Sequence, residues 1–216
     1  MKVAYLIDGF NFYHSIKSSS FKSSTPGRVK VQFHPKSWRW FDYVAYCHRF
    51  LQKDEEIYKI FYFTALAVND PESKTRHLTY IPVLVDAGVQ VVYGKYKRKT
   101  RKCFKCGYTW EHPEEKATDV NIAVEAYALA CSKAVDKIYV ISGDTDYLPA
   151  LRRIEHDFPS VKVEIIFPFF RESKEYLHAR FKCHYTQKSD IQQSLLPRFV
   201  TLSNGVSVER PREWAD

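Results

Sequence analysis

Five short apolar runs, separated by segments with helical spacing, constrain this chain more than any other feature. They are VAYLI (3–7), IYKIFYFTALAV (57–68), VQVVYG (89–94), KIYVIS (137–142) and VKVEIIF (161–167). Continuous rather than alternating runs suit strands buried on both faces. Between them, GFNFYHSIK (9–17) predicts a short helix. WRWFDYVAYCHRFLQ (38–52), ESKTRHLTYIPVLVDAG (72–88), TDVNIAVEAYALACSKA (118–134) and DYLPALRRIEHD (146–157) predict four more. Strands alternating with helices imply right-handed βαβ units, so the fold class expected is α/β, a three-layer sandwich with a mostly parallel central sheet. In the 118–134 helix, Val120, Ala123, Val124, Tyr127 and Ala128 predict the buried stripe, with Thr118 or Asp119 as the cap. Residues 18–37, rich in Ser, Lys, Pro and Gly, predict a basic loop. A helix near 172–179 and a strand near 180–185 complete a main domain over 1–187. The tail, 188–216, carries an Asn204-Gly205 pair that predicts a hairpin over 199–211.

With 216 residues, 45% of them hydrophobic, and 15 each of Tyr and Phe, the chain has the material for a proper core. A net charge of +8 favours an anionic partner such as nucleic acid. The cysteines, at 47, 103, 106, 131 and 183, are odd in number, and only 103 and 106 have suggestive spacing. A reducing compartment is expected rather than a disulfide framework. Cys47 and Cys131, on apolar helix faces, are expected in the core. Asp8 interrupts the first apolar run too early for a signal peptide, and no apolar stretch is long enough to span a bilayer. The expectation is a soluble cytoplasmic protein without a membrane partner; the oligomeric state stays open.

Carboxylates gather where the apolar runs end. Asp8 follows the first run, Asp144 and Asp146 follow KIYVIS, and Asp119 opens the 118–134 helix. In an open α/β sheet, ligands bind beyond the carboxyl ends of the strands, near the point where strand order reverses. Four acids converging there are costly when empty and favourable around Mg²⁺ or Mn²⁺, hard cations that take oxygen ligands. Such ions activate water and stabilise charge on a phosphodiester. Asn11, Ser142 and Thr145 supply neutral oxygens or donors beside them, Ser142 and Thr145 as candidate contacts to the substrate. Taken singly, Asp8-Gly9 reads as a turn, Asp119 as a helix cap and Asp-x-Asp as a turn; taken together they read as a metal site.

The segments AYLIDGFNFYHSI, EEKATDVNIAVEAYALA and DKIYVISGDTDYLPALRRI, in that order, resemble the NYN domain family, the LabA-like branch of the PIN-like nuclease superfamily. LPRFVTLSNGVSVERPREW resembles a tail found in some members. The resemblance implies a PIN-like sandwich with an acidic pocket and a metal-dependent ribonuclease activity. By position, Asp8, Asp119, Asp144 and Asp146 become the Mg²⁺/Mn²⁺ ligands and catalytic acids, with Asn11 beside Asp8.

A basic insert, KYKRKTRKCFKCGYTWEHPEEK (95–116), interleaves cations with Tyr96, Phe104, Tyr108 and Trp110. Cations that track phosphates and rings that stack bases are the ingredients of single-strand binding. Lys97, Arg98, Lys99, Arg101, Lys102 and Lys116 are the candidate contacts to RNA. Cys103-x2-Cys106 with His112 has the spacing of a structural Zn²⁺ site and is similar to a zinc knuckle, with Glu111, Glu114, Glu115 and His77 as candidates for an unidentified fourth ligand; a redox pair or two free thiols in a turn are the alternatives. His14 is assigned a surface or packing role.

Two functions compete. One is an endoribonuclease cutting single-stranded RNA, with DNA not excluded by the chemistry. The other is a non-catalytic RNA-binding or adaptor module with a vestigial pocket. A phosphatase starting from an Asp nucleophile wants a second acid two residues on, where this chain has Phe10.

Overall fold

The computed structural model describes residues 1–22, 29–66 and 70–216, with the side chains of 19–22, 29–30, 97 and 112–115 outside that description. Strand β1 (Lys2–Asp8) runs into α1 (Gly9–Lys17), a hairpin of β2 (Ser18–Lys22) and β3 (Val29–Phe33), a 3-10 turn (Lys36–Arg39) and α2 (Tyr43–His48). Next come β4 (Glu56–Thr64), α3 (Pro71–Asp86), β5 (Val89–Tyr93), and a second hairpin of β6 (Lys95–Lys102) and β7 (Thr109–Lys116). Then follow α4 (Thr118–Cys131), β8 (Lys137–Ile141), α5 (Leu148–Asp157), β9 (Lys162–Phe167), α6 (Lys174–His178) and β10 (Lys182–Tyr185). Helix α7 (Lys188–Gln192), the hairpin of β11 (Phe199–Thr201) and β12 (Ser207–Glu209), and a 3-10 turn (Arg212–Trp214) complete the chain.

The main sheet is six-stranded and parallel, in the order β10-β9-β8-β1-β4-β5. Because side chains alternate across a strand, β1 sends Val3, Tyr5 and Ile7 into one core and Ala4 and Leu6 into the other. Helices α1, α2 and α3 contribute Phe12, Tyr46 and Leu84 to the first core. Helices α4, α5 and α6 contribute Ile122, Leu151 and Tyr176 to the second. This is the expected three-layer PIN-like sandwich. Chain order reverses between β1 and β8, so the crevice for a ligand opens at their carboxyl ends. The tail packs onto the first core through Ile191 and Trp214, and Trp214 meets Trp40 and Tyr80.

Several local expectations need correction. The segment 18–37 holds the β2–β3 hairpin rather than only a loop, and the loop's residues 23–28 lie outside the described residues, as do 67–69 of the 57–68 run. The helix expected over 38–52 is limited to α2, because Asp42 caps it by accepting the Ala45 amide at 2.9 Å. On α4 the expected stripe faces outward: Val120 and Val124 are each 62% exposed, while Ile122, Ala126 and Leu129 are buried. Both faces of α4 are apolar, so periodicity alone could not choose between them. Neither Thr118 nor Asp119 caps α4; the N-cap is Ala117, at φ +78°. Cys47 is buried as expected, but Cys131 is exposed.

Candidate active site

Asp8 is the last residue of β1 and also the N-cap of α1, its Oδ1 accepting the Asn11 amide at 2.9 Å. Its Oδ2 accepts from Ser142 Oγ at 2.9 Å and from the Tyr147 hydroxyl at 2.8 Å. Burial raises the Asp8 carboxyl above its ordinary range and the nearby Asp144 charge adds to this, while these three donors oppose the shift. The Asp8 carboxylate is thus held in one orientation at the switch point.

Ser142 joins this carboxylate to the next. It is fully buried, and its Oγ accepts the Asp144 amide at 3.0 Å while donating to Asp8. Asn11 Oδ1 accepts the Gly143 amide at 3.1 Å, tying α1 to the loop after β8. Gly143 has no room for a side chain, since a Cβ there would stand 1.8 Å from the Arg171 carbonyl oxygen. That close approach brings the loop after β9 beside the loop after β8. The Tyr176 hydroxyl fixes the same loop by donating to the Asp144 carbonyl at 2.5 Å.

Asp8, Asp119 and Asp144 line one surface cleft of about 250 Å³, together with Asn11, Phe10, His14, Thr118 and Arg171. The amino-terminal ends of α1 and α4 therefore meet there, and helix dipoles at such ends favour an anionic group. Ala117 supplies the turn that brings α4 in, in a left-handed conformation that costs a non-glycine residue roughly 1–2 kcal/mol. Asp146 does not line the cleft. It is exposed, and its amide donates to Asp144 Oδ1 at 3.1 Å, closing an Asx-type turn. Ser142, expected at the substrate, is instead an internal connector. Thr145 is not in the cleft wall either, and its carbonyl accepts the Leu148 amide at the start of α5.

Sequence reasoning missed Tyr147, Tyr176, Arg171 and the cleft position of His14. Tyr147 and Arg171 were legible in part, since both follow strand ends on the same sheet edge. His14 titrates below its ordinary value because of burial and the Arg171 and Lys17 charges, which keeps it neutral near pH 7.

The donor set suits a hard cation. Among the described residues, no three His, Cys, Asp or Glu side chains stand close enough to hold an ion unaided. Mg²⁺ does not need them to, because it keeps several waters and takes one or two carboxylates plus substrate phosphates. Asp8, Asp119 and Asp144 are the residues that would hold it.

The basic insert is an antiparallel arm whose β7 strand leads directly into α4. Eight residues per strand make it about 27 Å long. Phe104 and Tyr108 are exposed near its tip, and Tyr108 stacks on Trp110 with centroids 6.2 Å apart. Arg101 and Lys102 border the same tip. Arg98 is partly neutralised by Glu111 at 3.1 Å. Lys116 stands exposed at the arm's base, Lys99 is paired across from His112, and the side chains of Lys97 and His112 lie outside the described residues. His112 sits opposite Lys99, four residues back from Cys103 in register and roughly 13 Å along the strand. Peptide amides of Cys106 and Lys105 lower the Cys103 thiol below its ordinary value, but no third ligand joins the pair among the described residues.

A parallel doubly wound sheet with carboxylates at its switch point defines a PIN-like α/β protein with an acidic cleft. The chain belongs to the NYN domain family, which matches residues 2–208 and falls within the PIN-like nuclease superfamily. It is similar to 6-hydroxy-3-succinoylpyridine 3-monooxygenase of Pseudomonas putida, 22% identical over 93% of this chain and 72% of that protein. Its fold is similar to a protein of unknown function from Vibrio parahaemolyticus, with a TM-score of 0.56 and 22% identity, over 90% of this chain and 96% of that one. Among the described residues, no helix is long and apolar enough to cross a membrane.

Proposed function

We propose that this protein, within the LabA-like branch of its family, is a divalent-metal-dependent endoribonuclease that cleaves single-stranded RNA. The observation that carries the reading is the meeting of Asp8, Asp119 and Asp144, from three distant segments, in one cleft at the switch point. Bound there, Mg²⁺ or Mn²⁺ supplies activation of water and stabilisation of charge on the phosphodiester. The chain's own residues do the rest. Ser142, Tyr147 and the Asn11 amide orient Asp8; Arg171 and the amino-terminal ends of α1 and α4 favour the anionic phosphate; the arm's exposed rings and cations receive the flanking strand.

The test is cleavage of mixed RNA and DNA oligomers by the purified full chain with and without Mn²⁺, beside Asp144→Asn. Metal-dependent RNA cleavage by the wild type, lost in a folded variant, supports the reading. Equal cleavage by both would refute it. The alternative, a non-catalytic RNA-binding module, predicts salt-sensitive binding without cleavage under any divalent ion.

A further inference from the structure

A second concavity, of about 300 Å³, adjoins the acidic cleft and shares Phe10 and His14 with it. It lies on the α3 side of α1, and its walls come from separate parts of the chain. Tyr13 and Lys17 come from α1, Arg76 and His77 from α3, Tyr96 from the base of the arm, and Trp214 from the end of the tail. The cavity thus combines aromatic faces with two cations, one step away from the carboxylates.

Two polar features are left over for a ligand. The Nδ1 of His77 is buried and makes no hydrogen bond among the described residues, and a buried polar atom without a partner costs roughly 1–3 kcal/mol. Burial and the Arg76 charge hold His77 below its ordinary titration range, so the ring is neutral and presents one donor and one acceptor nitrogen. Arg76 is 19% exposed, and its ion pair is a 3.7 Å approach to Glu72, which is itself 82% exposed. Among the described residues, this one carboxylate engages few of the guanidinium's five donors. The acidic group in the wall, Asp70, is turned to the Ser73 amide as the cap of α3.

The size limits the occupant. Ligand cavities run from roughly 300 to 1,000 Å³, so this one, at the small end, takes a single residue of a polymer or one small molecule. Planar aromatic walls suit a planar ring, a buried neutral imidazole reads polar atoms on its edge, and Lys17 with Arg76 suits an anionic group. A nucleotide combines all three. The Phe10–Tyr96 ring contact, at 6.2 Å, links the wall of this cavity to the arm.

We propose that this cavity seats one nucleotide of the bound strand, its base among Tyr13, Tyr96 and Trp214 and its phosphate on Lys17 and Arg76, so that an adjoining phosphodiester reaches Asp8, Asp119 and Asp144. The choice of RNA as the polymer rests on the nuclease reading; occupancy of the cavity is read by binding, so either can fail alone.

The experiment is calorimetric titration of the full chain in EDTA with nucleoside 5′- and 3′-monophosphates, the unphosphorylated nucleosides and inorganic phosphate. One-to-one binding of a monophosphate is expected, with nucleoside and phosphate each weaker. Arg76→Gln combined with Lys17→Gln should weaken it by about tenfold or more. Lys17→Gln alone serves if the double variant misfolds by circular dichroism. Trp214→Phe should remove any nucleotide-induced quenching of tryptophan fluorescence, while Asp144→Asn should keep binding. No heat at millimolar monophosphate, binding unchanged in the cation variants, or phosphate binding as tightly as nucleotide overturns the proposal. Tighter binding of a hydroxypyridine carboxylate than of any nucleotide overturns it as well. Monophosphate binding without RNA cleavage sinks the nuclease reading and leaves the cavity; Mn²⁺-dependent cleavage without monophosphate binding does the reverse.

Discussion

Lys137→Met should destabilise the fold by about 3–5 kcal/mol at pH 7 without altering the cleft chemistry of the folded fraction. Lys137 opens β8 at the amino-terminal edge of the sheet, and its side chain is only 3% exposed. Its ammonium pairs with Glu55 and, at 3.0 Å, with Glu164, whose side chains are 2% and 6% exposed. Removing the lysine leaves Glu55 without another cation among the described residues' ion pairs, whereas Glu164 keeps His184 at 2.6 Å and Lys182 at 3.3 Å. The loss should therefore fall mainly on Glu55, and Glu55→Gln in the Lys137→Met background should restore part of it. Five residues of β8 separate this cluster from the acidic end by roughly 17 Å. The assay is urea denaturation followed by circular dichroism, with the slope required to stay constant so that the midpoint reports stability. Burial opposes ionisation of Glu55 and Glu164, but hydrogen bonds from Lys137, and for Glu164 also from His184, outweigh it and hold both carboxyls below their ordinary value. Their contribution is present above the unfolded carboxyl value of about 4.5 and is lost as pH falls through the lower folded values. Burial likewise opposes the charge on Lys137, yet bonds to Glu55 and Glu164 raise it, so its contribution holds at neutral pH and fades only in strong alkali. A loss under about 1 kcal/mol at pH 7, or one independent of pH between 7 and 3, would falsify the account of a buried charge cluster.

Tyr147→Phe removes the hydroxyl donor to Asp8 Oδ2 and should lower RNA cleavage by about tenfold or more while leaving substrate affinity within about twofold, read as a fall in kcat against a steady KM. Replacing Lys99, Arg101 and Lys102 together by Gln should weaken RNA binding and flatten its salt dependence by up to about two units of slope, since each phosphate contact on a single strand contributes about 0.7; an unchanged slope removes the arm from the interface. Gly143→Ala forces a Cβ against the Arg171 carbonyl oxygen and should cost about 1–3 kcal/mol of stability, with cleavage falling further than the folded fraction explains.

How far the sequence revealed this molecule depends on what each residue's state requires. The buried runs were legible because a strand covered on both faces must be apolar at every position, and β1 and β8 are buried almost throughout. The face of α4 was not legible, since Ile122 and Val124 are equally apolar and only the tertiary contact with the sheet decides between them. Asp8, Asp119 and Asp144 could be named in advance because an acid at a strand's carboxyl end or a helix start has a place in any sheet of this topology. Asp146 has the same chemistry and nearly the same position, yet it stands exposed outside the cleft wall, two residues on around an Asx-type turn. Ser142 and Tyr147 carry the complementary lesson. Ser142 was expected to meet the substrate and Tyr147 read as a helix residue, but Asp8 cannot stay oriented in its buried position without donors, and these two supply them. The cavity beside the cleft lies beyond any local pattern, because Tyr13, Arg76, Tyr96 and Trp214 come from four separate elements. Its existence depends on the tail returning to seat Trp214 against Trp40 and Tyr80, so the last turn of the chain helps to build the surface on which a substrate would rest.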